Sequence, residues 1–139
     1  MPEAIRFGVS ISDELLKKFD QLIARKGHAN RSEAIRDLIR DSLVRQEWDE
    51  NAEIVGTIAL VYEHHARELA SYLTEFQHED RSSVLSTLHI HLDEDNCLEV
   101  IVVRGRSSRI KKLSDRLIGL KGVKHGNLIM STTGEKVPR

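Results

Sequence analysis

Residues 6–48 spell one strand followed by two helices, and a unit of that make-up has no second strand with which to pair the first. Phe7, Val9 and Ile11 alternate with Arg6, Gly8 and Ser10, so apolar and polar side chains take opposite faces of a strand over Arg6–Ile11. Ser12 is placed to cap the helix that follows, with Asp13 and Glu14 in its first turn. Leu15, Leu16, Phe19, Leu22 and Ile23 form its apolar stripe, and Gly27 suits its C-terminal end. A second helix opens at Asn30-Arg31-Ser32-Glu33, with Asn30 as cap and Glu33 where a capping box needs it. Its stripe is Ile35, Leu38, Ile39 and Leu43, and it runs to about Trp48. So small a unit buries too little surface to fold alone, and its strand would leave its backbone groups unpaired. A dimer whose two strands pair with each other answers both needs.

The remainder reads differently. Residues 49–53 form a linker between a domain at 1–48 and a domain at 54–139. The second domain alternates strands and helices: strands Ile54–Tyr62, Val84–Leu92, Leu98–Val103 and Asn127–Ser131, with helices over 64–77 and 107–120. That order, βαββαβ, is the ferredoxin-like pattern, a four-stranded antiparallel sheet with both helices on one face. The fold class is therefore α+β. Alternation along Leu98–Val103 puts Leu98, Val100 and Val102 on one face. Cys97, Glu99, Ile101 and Val103 go to the other, taken as the side without helices and partly covered by a partner subunit.

Candidate chemistry concentrates on one hairpin. His89 and His91 are two apart on a strand, so both imidazoles leave the same face about 7 Å apart. Cys97 returns beside them across the turn Asp93-Glu94-Asp95-Asn96. Two imidazoles and a thiolate suit zinc, copper or nickel, and His78 is available as a fourth ligand, from the same or another subunit. His28, His64, His65 and His125 read as surface or hydrogen-bonding residues. Tyr62 and Glu99 are candidates to hydrogen-bond the ligands. A metal filled by four protein ligands keeps no open position, which points to sensing or structure rather than catalysis. No HExxH, GxSxG, Walker loop or deaminase signature is present.

The wider composition agrees. A net charge of −1 over 139 residues excludes a strongly basic nucleic-acid coat. The single cysteine excludes an intrachain disulfide and fits a reducing cytosol, so a cytoplasmic location is expected. No apolar run is long enough for a membrane span, and the first residues lack the pattern of a signal peptide.

Taken together, these residues resemble the nickel-responsive transcriptional regulators (NikR), over nearly the whole chain. Asn30-Arg31-Ser32-Glu33-Ala34-Ile35-Arg36-Asp37 is similar to a ribbon-helix-helix domain. Gln77-His78, Leu88-His89-Ile90-His91, Cys97-Leu98-Glu99 and Gly122-Val123-Lys124-His125-Gly126 resemble the family's ACT-like regulatory domain. The resemblance implies one Ni(II) per subunit, held by His89, His91 and Cys97 of one chain and His78 of a neighbour. It implies a homotetramer, a dimer of dimers, that binds double-stranded operator DNA and represses nickel-uptake genes when nickel is bound. An alternative is an ACT-domain DNA-binding regulator answering to an amino acid or another metal. Some relatives carry further histidines after the first ligand, whereas Glu79-Asp80-Arg81 follows His78 here.

On DNA, paired antiparallel strands fit the major groove, where Arg6 and Ser10 would read bases and Gly8 offers no side chain. The helix start at Asn30, Arg31 and Ser32 offers backbone N–H groups to a phosphate, and Arg67 is a further contact candidate. Residues 1–46 hold nine Lys/Arg against seven Asp/Glu, a net of +2, so binding is expected to be salt-sensitive without a large positive field. Glu33 and Asp37, one helical turn apart, are candidates for a second cation site that the resemblance implies.

Overall fold

A computed structural model describes residues 3–65, 69, 71–72, 74–75 and 83–139. Contacts divide it into two compact units, Met1–Ile39 and Arg40–Arg139. This division by contacts falls within the helix that precedes the linker expected at 49–53, because that helix's last turns pack into the sheet unit.

In the first unit, α1 spans Asp13–Lys26 and is capped as the sequence suggests, Ser12 Oγ accepting from the Leu15 N–H at 3.2 Å. Gly27 ends it at φ +77°, a left-handed conformation that costs a residue without Cβ little. Helix α2 spans Arg31–Asp49, and Asn30 Oδ1 accepts from the Glu33 N–H at 2.9 Å. Two polar pairs fasten this unit, one between the helices and one from the segment joining them to α2. Arg31 donates through Nε and Nη2 to the two carboxylate oxygens of Asp20, at 2.9 and 2.8 Å. His28 Nε2 lies 2.8 Å from Asp37 Oδ2. The segment expected as a strand, Arg6–Ile11, carries no ladder in this single chain. A strand exists through its partner's hydrogen bonds, and this unit holds none to offer. Phe7 and Val9 are accordingly 69% and 65% exposed.

The second unit is an antiparallel sheet of order β2-β3-β1-β4. Strand β1 is Glu53–Glu63, β2 is Val84–His91, β3 is Asn96–Arg106 and β4 is Val123–Met130. Helix α3, Ser107–Ile118, follows β3 directly. Of the helix expected over 64–77, residues 69, 71, 72, 74 and 75 are described and are helical, whereas His64 and His65 form a turn.

The core gathers Ile54, Ile58, Leu60 and Tyr62 of β1, Cys97, Ile101 and Val103 of β3, Ile110, Leu113 and Leu117 of α3, with Leu69 and Trp48. This corrects the expectation for β3. Cys97, Glu99, Ile101 and Val103 face the helix side and are buried, while Leu98, Val100 and Val102 take the half-buried face. Alternation fixes which residues share a face but not which face the helices cover. Gly126 of β4 lies so close under α3 that a Cβ there would meet Ile118 Cγ1 at 2.5 Å.

The end of α2 belongs to this unit. Trp48 is 2% exposed, its Nε1–H donates to the Ser131 carbonyl at 2.9 Å, and its own carbonyl accepts from Ser107 Oγ at 2.6 Å. Just beyond, Asn51 adopts φ +56°, the one positive φ at a non-glycine among the described residues. Its carbonyl accepts from Arg106 Nη1 and its Oδ1 from the Ser108 N–H in the first turn of α3.

Candidate metal centre

The centre is assembled by strand register. Strand β3 lies between β1 and β2, so Cys97 stands opposite both Tyr62 and His91, and Glu99 stands opposite His89. The hairpin that sets this register closes at Asp93. Its Oδ1 accepts from the Asp95 and Asn96 N–H groups, each at 2.8 Å, and from Asn96 Nδ2 at 3.0 Å. Those bonds, the Asn96 side chain's first, hold the Asp93 carboxyl below its ordinary range. Lys124 Nζ donates to Asn96 Oδ1 at 2.7 Å, fastening the turn to β4.

At the end of this hairpin Cys97 is fully buried, and two imidazoles converge on its sulfur. His91 Nδ1 is 3.6 Å from Sγ, and His64 Nδ1 is 3.4 Å from it. Their ligand atoms all lie within 4.8 Å of one another, the one group of three such residues among those described. His64 was set aside on sequence. It arrives because β1 runs antiparallel to β3, and its own N–H donates to the Asp95 carbonyl at 2.7 Å. The β1–β3 pairing implied by the βαββαβ order was the signal that could have found it.

His89 takes a different stance. Its ring centroid is 4.9 Å from that of His91, and its Nδ1 faces Glu99 Oε2 at 2.8 Å and the Tyr62 hydroxyl at 2.9 Å. A carboxylate only accepts, so Nδ1 carries the proton and Nε2 keeps the lone pair that a metal needs. Tyr62 donates to the same Glu99 oxygen at 3.4 Å. Burial first, then the Glu99 carboxylate and the Cys97 sulfur, push the Tyr62 phenol up to about 12. It therefore remains a donor throughout the physiological range. Glu99 is itself only 7% exposed and spends its buried charge on these two partners.

The structure thus brings His91 and Cys97 together, with His89 on the same face beside them. His78 and Arg67 lie outside the described residues. The donor set, imidazole nitrogen with one thiol sulfur, fits nickel, copper or zinc. In the first unit Arg6, Gly8, Ser10, Asn30 and Ser32 are exposed. Arg31 is exposed too, with its guanidinium engaged by Asp20. Of the cation pair Glu33 and Asp37, the Asp37 carboxylate already faces His28. No helix among the described residues is long and apolar enough to cross a membrane.

Comparison with known proteins finds relatives for both parts of the chain. Residues 55–131 match the NikR C-terminal nickel-binding domain, and residues 5–46 match the ribbon-helix-helix proteins of the copG family. The chain is 56% identical over 138 residues to a protein of Geobacter metallireducens, covering 99% of both chains. It is 59% identical over 138 residues to one of Geobacter sulfurreducens, again 99% of both. A protein of Pyrococcus furiosus is 56% identical over 134 residues, 96% of this chain and 97% of its own. Each carries the name "Putative nickel-responsive regulator". With both parts of the chain matched by these family models and whole-chain relatives at more than half identity, the chain belongs to the family of nickel-responsive regulators, which are transcriptional regulators and not enzymes.

Proposed function

We propose that the chain is a cytoplasmic, nickel-dependent repressor of nickel-uptake genes. Each subunit takes one Ni(II) through His89, His91 and Cys97, with His78 supplied by a neighbouring subunit of a homotetramer. The observation that supports this most is the stance of His89. Glu99 holds the proton on Nδ1 and leaves Nε2 as a ligand, on the same strand face as His91 and next to Cys97. Bound nickel supplies a bridge between the ligand-bearing strands and the neighbour. Cys97 gives up its proton on binding, so affinity falls as the pH is lowered.

The rest of the chain converts that event into DNA recognition. Paired strands from two copies carry Arg6 and Ser10 to base edges, with Gly8 allowing close approach. Asn30, Arg31 and Ser32 meet phosphate through the N-terminus of α2, and Arg67 adds a contact from the regulatory domain. Glu33 and Asp37 take a second cation. Two such dimers engaging two half-sites at once gain affinity through effective concentration, and reciprocity requires operator DNA to tighten nickel binding.

The test combines X-ray absorption on protein loaded with one nickel per chain with anisotropy on DNA selected by that protein from a random pool. Four-coordinate planar nickel with one sulfur is expected, with DNA binding lost in Cys97→Ser. Nickel-independent DNA binding of equal strength in both proteins would falsify the reading.

A further inference from the structure

We propose that the outer face of α3 is a second DNA-binding surface, one that holds the phosphate backbone of a duplex without reading its sequence. The proposal rests on the chain being a DNA-binding regulator; it needs neither the metal centre nor the base contacts of Arg6 and Ser10.

Charge distribution carries it first. The chain has a net charge of −1, yet residues 104–124 hold eight of its 21 Lys/Arg and one of its 22 Asp/Glu. Residues 1–46, by contrast, come to only +2. Part of the positive charge in 104–124 is already committed within the fold. Arg104 Nε donates to Glu53 at 3.1 Å, Arg106 to the Asn51 carbonyl at 3.2 Å and Lys124 to Asn96 at 2.7 Å. Lys111, Lys112, Arg116 and Lys121, in contrast, hold no ion pair among the described residues.

Helix geometry arranges these cations. Arg109, Lys112 and Arg116 fall at i, i+3 and i+7, so they share one exposed stripe, while Ile110, Leu113 and Leu117 turn into the core. At 1.5 Å per residue the stripe is about 10 Å long, roughly the rise of three base pairs of duplex. The occupant follows from what the face lacks. None of the large exposed apolar residues among those described lies between 104 and 124. A protein partner would need an apolar or aromatic centre inside the polar rim. A helix lying on a membrane would need a free apolar face, and α3 spends its own on the core. Long cationic side chains without apolar neighbours suffice for phosphates, which position a protein on DNA and carry no sequence information.

The full-length, nickel-loaded chain is compared with the double variant Lys112→Gln/Arg116→Gln by anisotropy over a series of salt concentrations. The probes are DNA selected by the protein from a random pool and an unrelated duplex of equal length. Two lost phosphate contacts should lower the slope of log affinity against log salt by about 1.8 on both duplexes. The preference for the selected DNA should stay as it was, and Lys112→Arg/Arg116→Lys should restore the slope. Both side chains are exposed, so circular dichroism and the nickel titration should not change. A change of slope on single duplexes assigns the contact to the duplex being read. A loss confined to energy transfer between two differently labelled duplexes assigns it to a second one. Unchanged slopes together with unchanged pairing of duplexes overturn the proposal. So does loss of poly-glutamate binding with DNA binding intact, since the partner would then be an acidic protein. If the unmodified chain binds both duplexes equally with and without nickel, the repressor reading fails, while the salt slopes still decide the surface.

Discussion

Replacing Glu99 by Gln is the sharpest probe of how the proposed nickel site is oriented. The carboxylate oxygen sits 2.8 Å from His89 Nδ1 in a position only 7% exposed. A hydrogen bond to a charged group contributes about 1.5–3 kcal/mol and a neutral one about 0.5–1.5. Removing the charge while keeping the shape therefore costs about 1–1.5 kcal/mol, or about five- to tenfold in nickel affinity at ~1.4 kcal/mol per decade. The His89 side chain is 43% exposed, so water competes for its N–H and the lower end applies. Glu99→Ala loses the acceptor altogether and should cost more, about tenfold to a hundredfold. The assay is chelator competition at fixed pH, with circular dichroism as the control for folding. Nickel affinity within twofold of the unmodified chain in both variants would refute the claim that Glu99 sets the His89 tautomer.

Other outcomes follow from packing and charge. Gly126→Ala would place a Cβ 2.5 Å from Ile118 Cγ1 and 2.9 Å from Leu60 Cδ2; overpacking of this kind costs about 1–3 kcal/mol and should lower the thermal midpoint measured by calorimetry. Gly8→Ala, with nothing within 4 Å, should show no such overpacking penalty. Trp48→Phe removes the bond to the Ser131 carbonyl and should cost about 1–2 kcal/mol in urea unfolding. The hydrogen bond from Arg31, foremost, holds the Asp20 carboxyl below the ordinary aspartate value of 3.8. Its small contribution is present above that value and is lost as the pH falls through the lowered one. Asp20→Asn should flatten that part of the acid-unfolding curve, and an unchanged slope would count against the pair.

Much of the local structure was legible because its causes are local. Ser12, Gly27 and Asn30 cap their helices through bonds spanning three or four residues, and the Asp93 turn is closed by its immediate neighbours. The strands declared themselves by alternation. What escaped depends on pairing at a distance. Alternation in β3 gave two sets of residues, but only the packing of α3 decides which set is core. Arg6–Ile11 has strand-like alternation yet no ladder, since the chain alone cannot supply one. His64 looked like a surface residue because its closeness to Cys97, 33 positions away, is a product of the β1–β3 register. The bonds from Glu47 to Thr132 and from Trp48 to Ser131 span more than 80 positions and left no mark in the local pattern.

Asn51 has a further consequence for how the sheet unit comes apart. Its left-handed turn stops α2, and its side-chain oxygen accepts from the backbone N–H of Ser108, 57 positions later, at the start of α3. One residue is thus a knot shared by two helices. Fraying at either end loosens the other, so amide protons at the close of α2 and the opening of α3 should exchange with solvent together, as one opening event instead of two.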